Sequence, residues 1–449
     1  MPMTAEAGSE ITLDIEKPAV GGRMLARHDG QVALVWGAIP GERVRAQIER
    51  VSKSVIYATT TAVLTASPDR REAGPDWRCG GNVFAHIGYD RQRGLKAEII
   101  RDALRRIGRV TLPAAPDVVG SPERGYRMRA RLHARDGRLG FFREGTHRLC
   151  DAAATGQLRP QTTEWIAAVE RVLARDRLAG LDAMEIAENV AGDERACHLE
   201  LQSGVEASRF GALAAAGALT GLSATRADRP GVEILAGTPS VSDVLHVRPG
   251  DPARALRLRR DVRAFFQGNR FLLEPLVHRV VALVPPGPVV DLYAGVGLFG
   301  LALAAAGAEQ VTLVEGDPVS GMSLDENAEP LRSRVRVEHR SVESYVGRVP
   351  TREPSGRGGP GAAADPASTF IVDPPRTGLS KAALAGIVAA QPARVVYVSC
   401  DVATLARDTR LLLDAGYVLD SVTGIDLFPN TAHVEAVTAL SRPGPPPGR

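Results

Sequence analysis

From residue 265 onward, apolar β-type runs alternate with helical runs, and this alternation constrains the fold more than any other feature. The runs VVDLYAG, QVTLVEG, TFIVDPP and RVVYVSC are typical of strands, and LFGLALAAAG, KAALAGIVAAQ and ATLARDTRLLLDAG are typical of helices. Such alternation predicts an α/β domain with a doubly wound parallel sheet. The last two β-type runs are separated only by FPNTA, which is too short for a parallel crossover, so they should form an antiparallel hairpin.

The rest of the chain suggests two further domains, in line with about 150 residues per domain. Over residues 8–68, short β-type runs separated by turn signals predict a small OB-like barrel. Residues 69–264 should form an α+β domain, although the helical run 91–108 could pack on the C-terminal domain, residues 265–441. The segments 350–368 and 442–449 have too little apolar content to fold, and we expect them to be disordered.

Composition excludes several classes of protein. No apolar stretch approaches the about 20 residues that a membrane helix needs. The first residues have neither the basic start nor the apolar core of a secretion signal, and four scattered cysteines do not make a disulfide framework. We therefore expect a cytoplasmic protein. A net charge of +3 is too small to indicate a polyanionic partner by itself.

One short segment is nevertheless strongly basic. Residues 123–148 contain eight arginines against three acidic residues. Arg127, Arg129 and Arg131 alternate with apolar residues, which places the three guanidinium groups on one face of a strand. The pattern predicts a nucleic-acid contact, and a merely solvated strand face is the alternative.

The segment DLYAGVGLFG, from Asp291 to Gly300, follows a β-type run and opens a helix. Its glycines, among them Gly295 and Gly297, let the backbone approach an adenosyl-type ligand, and Glu315 at the next strand end could accept hydrogen bonds from ribose hydroxyls. A nicotinamide dinucleotide and S-adenosylmethionine both fit this pattern. The acidic Asp291, suited to a cationic methionyl group, and the final hairpin favour S-adenosylmethionine.

Two motifs at neighbouring strand ends could supply chemistry. In the DPPR motif that begins with Asp373, Arg376 stands where amine methyltransferases commonly carry a base-stacking aromatic residue, which argues against amine methylation. Cys400 ends the next β-type run just before a helix, whose positive end should give the thiol thiolate character. A buried core cysteine is the alternative.

Glu435 in the final hairpin completes the set, although a carboxylate there could also be a solvated surface group. The C5 carbon of uracil is a poor nucleophile, so its methylation requires a thiolate to add at C6 and a base to remove the C5 proton afterwards. Cys400, Glu435 and S-adenosylmethionine meet those needs. A flipped uridine could stack on Phe265 or Phe266, unless these are core aromatics.

The segments FFQGN, DLYAGVGLFG, IVDPPRTG, VSCDVATLARD and DLFPNTAHVE together resemble the RNA uracil-C5-methyltransferase family, which forms 5-methyluridine in transfer and ribosomal RNA. The resemblance spans nearly the whole chain, since the first 66 residues are similar to that family's RNA-binding TRAM barrel. It implies a class I methyltransferase fold with a TRAM barrel and a central RNA-binding domain. The expected RNA contacts are then Arg127, Arg129, Arg131, Phe266 and Arg376.

Matched residue by residue, the resemblance implies cofactor contacts at Gln267, Tyr293, Glu315 and Asp373, in addition to Asp291, Gly295 and Gly297. It implies that Cys400 is the nucleophile and Glu435 the general base. Two departures stand out. Many members hold an iron–sulfur cluster through four cysteines, but only Cys79 of that run is present here, so we expect no cluster and no metal. Asp401-Val402 follows the nucleophile where Asn-Pro is more usual.

Several alternatives remain open at this point. Family members with a TRAM barrel more often act on ribosomal RNA, so we expect that substrate, with transfer RNA as the alternative. Cytosine-C5 methylation uses the same chemistry, but DPPR lacks the cysteine that those enzymes place there. A catalytically inactive RNA-binding assembly factor is opposed by the presence of both Cys400 and Glu435. We expect a monomer that binds RNA and no membrane.

Overall fold

The computed structural model describes residues 6–74, 76–250, 254–347 and 368–443, so most of the two segments predicted to be disordered lies outside the described residues. The first five strands close into a barrel in the order β1-β2-β3-β5-β4. They are β1 (Glu10–Pro18), β2 (Met24–His28), β3 (Gln31–Trp36), β4 (Arg43–Ser52) and β5 (Val55–Thr65). Exposed and buried residues alternate along β1 because one face of the strand fills the barrel. The predicted barrel is confirmed.

After the barrel come a helix and a very short strand, α1 (Tyr89–Arg106) and β6 (Val118–Val119). The central sheet follows, with seven strands in the order β13-β12-β11-β10-β7-β8-β9. Its elements are β7 (Arg129–Arg135), β8 (Arg138–Phe142), β9 (Leu149–Asp151), α2 (Pro160–Arg175), β10 (Leu181–Glu188), β11 (Arg195–Leu201), β12 (Gly221–Arg226) and β13 (Arg229–Gly237). The apolar side of α2 covers one face of this sheet through Trp165 and Val169.

A hairpin and a helix lead into the C-terminal domain: β14 (Ser240–His246), β15 (Ala255–Asp261) and α3 (Leu273–Leu283). The hairpin pairs with neither large sheet. Its apolar residues Leu245, Leu256 and Leu258 share a core with α3 and with the C-terminal domain. The hairpin therefore packs as part of the C-terminal domain, although the sequence placed it in the central one.

The C-terminal sheet has eight strands in the order β18-β17-β16-β19-β20-β22-β21-β6. Its remaining elements are β16 (Val289–Leu292), α4 (Leu298–Ala306), β17 (Val311–Glu315), α5 (Pro318–Ala328), β18 (Val335–His339), α6 (Val342–Val346), β19 (Thr369–Val372), α7 (Lys381–Ala390), β20 (Arg394–Ser399), α8 (Val402–Asp414), β21 (Val418–Ile425) and β22 (Glu435–Ser441). Strands β16 to β20 are parallel, whereas β22 runs antiparallel to both β20 and β21. The doubly wound sheet and its final hairpin are confirmed.

Helices cover both faces of this sheet. The face with α3, α4 and α5 also receives the β14–β15 hairpin, and the opposite face packs against α1, α6, α7 and α8. Strands β16 and β19 are buried along their whole length because both faces are covered. Helix α1 and β6 therefore belong structurally to the C-terminal domain, which is how the helical run at 91–108 buries its apolar side.

Candidate active site

The predicted site residues meet at one edge of the C-terminal sheet. The chain moves from β16 outward to β17 and β18 and then returns to β19 on the other side of β16. Open α/β sheets bind ligands at the carboxyl ends of the strands where the order reverses in this way. Tyr293 follows β16, Asp373 follows β19, and Cys400 follows β20. The three motifs are spread over about a hundred residues of sequence, and the fold brings them to one place.

The turn between β16 and α4 leaves space for a ligand beside its backbone. Gly295 and Gly297 have positive φ values of +58° and +99°. A Cβ atom on Gly297 would lie 2.3 Å from Leu301 Cδ1, so packing alone requires glycine there. A Cβ atom on Gly295 would meet nothing within 4 Å. The positive φ of Gly295 and the open space beside it fit the close approach of a bound molecule.

The carboxyl group of Asp291 is buried, and only one of its two oxygen atoms has a hydrogen-bond donor among the described residues. Its Oδ2 atom accepts a hydrogen bond from the Gly300 N–H at 2.7 Å, whereas its Oδ1 atom has no partner among the described residues. Burial raises the pKa of Asp291 to about 8, and the charges of Asp373 and Glu315 act in the same direction. A buried oxygen without a donor is costly, so this atom suits a donor or cation supplied by a ligand.

The other predicted cofactor residues surround the same strand ends. Glu315 Oε2 accepts from the Gly295 N–H at 2.7 Å, which ties the end of β17 to the glycine turn. Gln267 Nε2 donates to Asp373 Oδ2 at 3.3 Å, and burial raises the pKa of Asp373 to about 7. Tyr293, half-buried, has a positive φ of 63°. These residues together with Asp291 fit S-adenosylmethionine, because they combine acidic groups for its cationic end with hydroxyl-binding oxygens.

Cys400 is half-buried between β20 and α8. Asp401 forms the N-cap of α8, and its Oδ1 atom accepts from the Ala403 and Thr404 N–H groups at 3.0 and 2.8 Å. Burial, followed by the charge of Glu435, raises the pKa of the Cys400 thiol to about 11, while Arg376 opposes the shift. The raised pKa runs against the predicted thiolate character, since burial outweighs the effect expected from the start of α8.

Glu435 lies directly across from Cys400 in the sheet register. Strands β20 and β22 pair Ser399 with Ala436, and Cys400 and Glu435 are the next residues beyond that pair. Opposed residues of antiparallel strands have Cβ atoms roughly 5 Å apart on the same face. Burial raises the pKa of Glu435 well above its usual value, helped by the charge of Asp373 and opposed by Arg376. Glu435 is buried, and its Oε1 atom has no partner among the described residues, so the solvated-surface alternative is wrong.

A cavity of about 350 Å³ opens above Cys400. Cys400, Arg376 and His433 line it from the C-terminal domain, Gly81 and Glu144 from the central part, and Val20 and Trp36 from the barrel. Sequence analysis missed Val20, Trp36, Glu144 and His433. Of these, only His433 carried a signal, since it lies in the DLFPNTAHVE segment. The barrel is thus a wall of this cavity rather than a separate module.

The three arginines predicted to bind RNA do lie on one face of the strand, but most of their positive charge is paired with carboxylates. Arg129 contacts Glu185 at 3.3 Å, and Arg131 forms two hydrogen bonds with Glu200 on the neighbouring strands. Arg127 donates to Gln157 Oε1 at 2.7 Å and packs over the Phe141 ring. The acidic partners are distant in sequence, so the local count of arginines overstated the positive charge of this face.

The two adjacent phenylalanines point to different environments. Phe266 is 4% exposed and stacks under the guanidinium of Arg260, so the expectation that it stacks on a base is wrong. Phe265 is 62% exposed and lies near Arg129. Because its ring is exposed, Phe265 is the aromatic residue of this segment that is available for stacking.

The four cysteines do not converge. Cys79 and Cys150 form a disulfide with a Cα–Cα distance of 5.7 Å, a single bond rather than the disulfide framework that the sequence argued against. Cys197 is buried on β11, and Cys400 lies at the candidate active site. The Sγ atoms of Cys79 and Cys150 also lie near a carboxylate oxygen of Asp76. Only two of the four thiols share a location, so the residues present do not fit a four-cysteine iron–sulfur cluster.

Comparison with known proteins agrees with this geometry. A family model described as tRNA (uracil-5-)-methyltransferase matches residues 364–443, and the TRAM domain model matches residues 5–60. A 23S rRNA (uracil(1939)-C(5))-methyltransferase of Halomonas elongata is 33% identical over 97% of this chain and 91% of its own length. The protein of the same name from Methylococcus capsulatus is 31% identical over 98% of both chains.

The chain belongs to the RNA uracil-C5-methyltransferase family.

As a member of this S-adenosylmethionine-dependent family, it shares its fold with a solved archaeal structure. The tRNA (uracil-54, C5)-methyltransferase of Pyrococcus abyssi, in complex with S-adenosyl-L-homocysteine, superposes with a TM-score of 0.72 at 24% identity. The alignment covers 95% of this chain and 99% of that one. Family membership excludes the nicotinamide alternative. Among the described residues, no helix is long and apolar enough to cross a membrane.

Proposed function

We propose that this protein forms 5-methyluridine in ribosomal RNA, with Cys400 as the nucleophile and Glu435 as the general base. The observation that supports the proposal is the register of β20 and β22: Ser399 pairs with Ala436, and Cys400 and Glu435 are the next residues beyond that pair, close enough for the charge of Glu435 to act on the thiol. The names of the relatives at 31–33% identity support ribosomal RNA as the substrate. The same relatives favour uracil over cytosine.

S-adenosylmethionine supplies an electrophilic methyl group, and Asp291, Glu315, Gln267 and Asp373 would hold it at the carboxyl edge of the sheet. Addition of Cys400 Sγ to C6 of the uracil forms a C–S bond and moves an electron pair to C5, the carbon that accepts the methyl group. Glu435 then takes the proton from C5, and the electron pair of the broken C–H bond restores the C5–C6 double bond and expels Sγ.

The ionisation of the Cys400 thiol and of the Glu435 carboxyl group depends on Arg376. Sγ must be a thiolate when it adds, and Glu435 must be ionised when the C5 proton leaves. The positive charge of Arg376 lowers the pKa of both groups, against the effect of their burial. We therefore assign Arg376 to the stabilisation of negative charge in the cavity. Its backbone is held from α8, where Thr404 Oγ1 donates to the Arg376 carbonyl at 3.4 Å.

The target uridine should leave its stack and enter the cavity above Cys400, which costs a few kcal/mol and favours a target in a loop. The exposed ring of Phe265 could stack on the base. We also propose that the protein acts as a cytoplasmic monomer, because one chain contributes every residue of the assembled site. Light scattering of the purified protein tests the monomer.

The decisive experiment incubates the protein with methyl-labelled S-adenosylmethionine and either unmodified 23S rRNA or unmodified tRNA. Nucleoside analysis by mass spectrometry should find 5-methyluridine in the ribosomal RNA. The Cys400→Ala variant should give none while retaining affinity for S-adenosylhomocysteine. Methylation by that variant would refute the role of Cys400, 5-methyluridine in tRNA alone would refute the substrate, and 5-methylcytidine would refute the base.

A further inference from the structure

On the outer face of β7, the arginines at one end of the strand form ion pairs, whereas the arginine at the other end forms none among the described residues. Near the active site, Arg129 and Arg131 have carboxylate partners on the neighbouring strands. At the other end of β7, Arg135 is exposed and forms no ion pair in the part of the chain that the structure describes. The uncompensated positive charge of this face therefore lies away from the three arginines that the sequence singled out.

Arg135 opens onto a groove of about 750 Å³ between β7, β8 and the end of α2. Arg177, just beyond α2, lines the groove from the opposite side, is exposed and likewise forms no ion pair within the described ranges. Asp136 and Asp182 also line the groove, and Asp182 accepts a hydrogen bond from Gln202 Nε2 at 2.7 Å. Arg131, which is paired with Glu200, lines it as well, so three arginines face two carboxylates. The groove thus presents two free guanidinium groups that suit phosphate groups.

Aromatic rings form part of the same groove. His133 and Phe142 are stacked with centroids 3.6 Å apart and an angle of 8° between their planes. His147 meets the edge of Phe142 at a centroid distance of 5.3 Å. Rings already held by each other lose little freedom when a further ring packs against them. Cations combined with preformed aromatic stacks are typical of surfaces that bind single-stranded nucleic acid.

We propose that this groove binds a single-stranded segment of the RNA substrate at a distance from the target uridine, with Arg135 and Arg177 on backbone phosphates and the aromatic rings against a base. From Arg129, which lies near Phe265, to Arg135 the strand spans about 20 Å at roughly 3.3 Å per residue. The groove shares no lining residue with the cavity above Cys400 in the described part of the chain, so a nucleotide in that cavity leaves the groove free. The groove therefore recognises flanking RNA, and the inference rests on the proposed function.

The experiment compares two RNAs: a short hairpin that carries only the target loop, and a longer rRNA fragment that includes its single-stranded flanks. The Arg135→Ala/Arg177→Ala variant should raise the KM for the long fragment roughly tenfold and leave the kcat unchanged. With the short hairpin, both constants should equal those of the unmodified protein. The slope of log K against log salt for the long fragment should become flatter by about 1.4, the loss of two phosphate contacts to a single strand.

The matched control is the Arg101→Ala/Arg209→Ala variant, which removes two exposed arginines that form no ion pair within the described ranges and do not line the groove. It should behave like the unmodified protein on both RNAs. An unchanged KM for the long fragment, or an equal increase for both RNAs, would overturn the inference. Filter binding of the same RNAs in the absence of S-adenosylmethionine keeps the test independent of turnover. If no 5-methyluridine forms at all, the proposed function fails, whereas the binding data still decide the groove.

Discussion

Gln92 and Asn430 exchange two hydrogen bonds across 338 residues of sequence. Gln92 Nε2 donates to Asn430 Oδ1 at 2.9 Å, and the Asn430 N–H donates to Gln92 Oε1 at 2.9 Å. Asn430 has a positive φ of 64° and lies five residues before Glu435 in the loop of the final hairpin. One turn further along α1, Lys96 pairs with Asp426 and donates to the Phe428 carbonyl at 3.0 Å. Helix α1 therefore holds the loop that leads to Glu435, the proposed general base.

Replacement of Lys96 by methionine should strongly destabilise the protein. Both side chains of the Lys96–Asp426 pair are fully buried, so the variant leaves a carboxylate without its cation, at a cost of about 3–5 kcal/mol. Thermal unfolding should show a lower midpoint, and Lys96→Met/Asp426→Asn should recover part of the loss. Lys17→Met is the matched control, because the partly exposed Lys17–Asp102 pair should contribute at most about 1 kcal/mol. Equal effects of the two single substitutions would contradict the assignment.

Substitution of Glu435 by glutamine should trap the covalent enzyme–RNA intermediate. The amide keeps the size of the side chain but cannot take the C5 proton, so Sγ cannot leave. A denaturing gel should show a slower protein band that carries labelled RNA and disappears on treatment with nuclease. Cys400→Ala combined with Glu435→Gln serves as the control and should give no such band. A trapped band in that double variant would show that another residue makes the bond.

The reactivity of Cys400 toward iodoacetamide should rise with pH up to about 11. Thiolates are the reactive form, and the pKa of this thiol is raised to about 11, so the rate should increase roughly tenfold per pH unit below that value. Cys197 is buried, and Cys79 and Cys150 are joined, so peptide mass spectrometry can follow Cys400 alone.

Arg376→Ala should shift this titration upward, because the guanidinium favours the thiolate. Arg376→Lys, which keeps the charge, should shift it less. An inflection near neutral pH in the unmodified protein would contradict the burial and the carboxylate charges around the thiol.

Gly295→Ala should weaken the binding of S-adenosylhomocysteine. The added Cβ atom would occupy the open space beside the turn, at a positive φ that also strains the new side chain. Gly416→Ala is the matched control for strain, since Gly416 has a φ of +93° and also lacks neighbours within 4 Å. Calorimetric titration should show a loss of affinity only for the first variant. Equal affinities would place the cofactor elsewhere.

The sequence by itself was sufficient for the C-terminal sheet and the barrel, and it indicated the residues that we propose for the site. Buried parallel strands have unbroken apolar sequences, which can be recognised directly. Glycines at turns and a connection too short for a parallel crossover are also visible in a short stretch of sequence. Cys400 and Glu435 could be picked out because the chemistry of uracil C5 demands a thiol and a base. The family resemblance added Gln267, which no local pattern indicated.

Only the tertiary structure decided the charge state and the walls of the site. The pKa of Cys400 rises instead of falling because the fold buries the thiol and brings the charges of Glu435 and Asp373 beside it from other strands. The arginine face is paired because Glu185 and Glu200 lie on β10 and β11. Phe265 and Phe266 are adjacent and identical in type, yet only packing determines which one is exposed. Local patterns record which way a residue points along its own element, whereas electrostatics and burial depend on neighbours that the fold brings from distant parts of the chain.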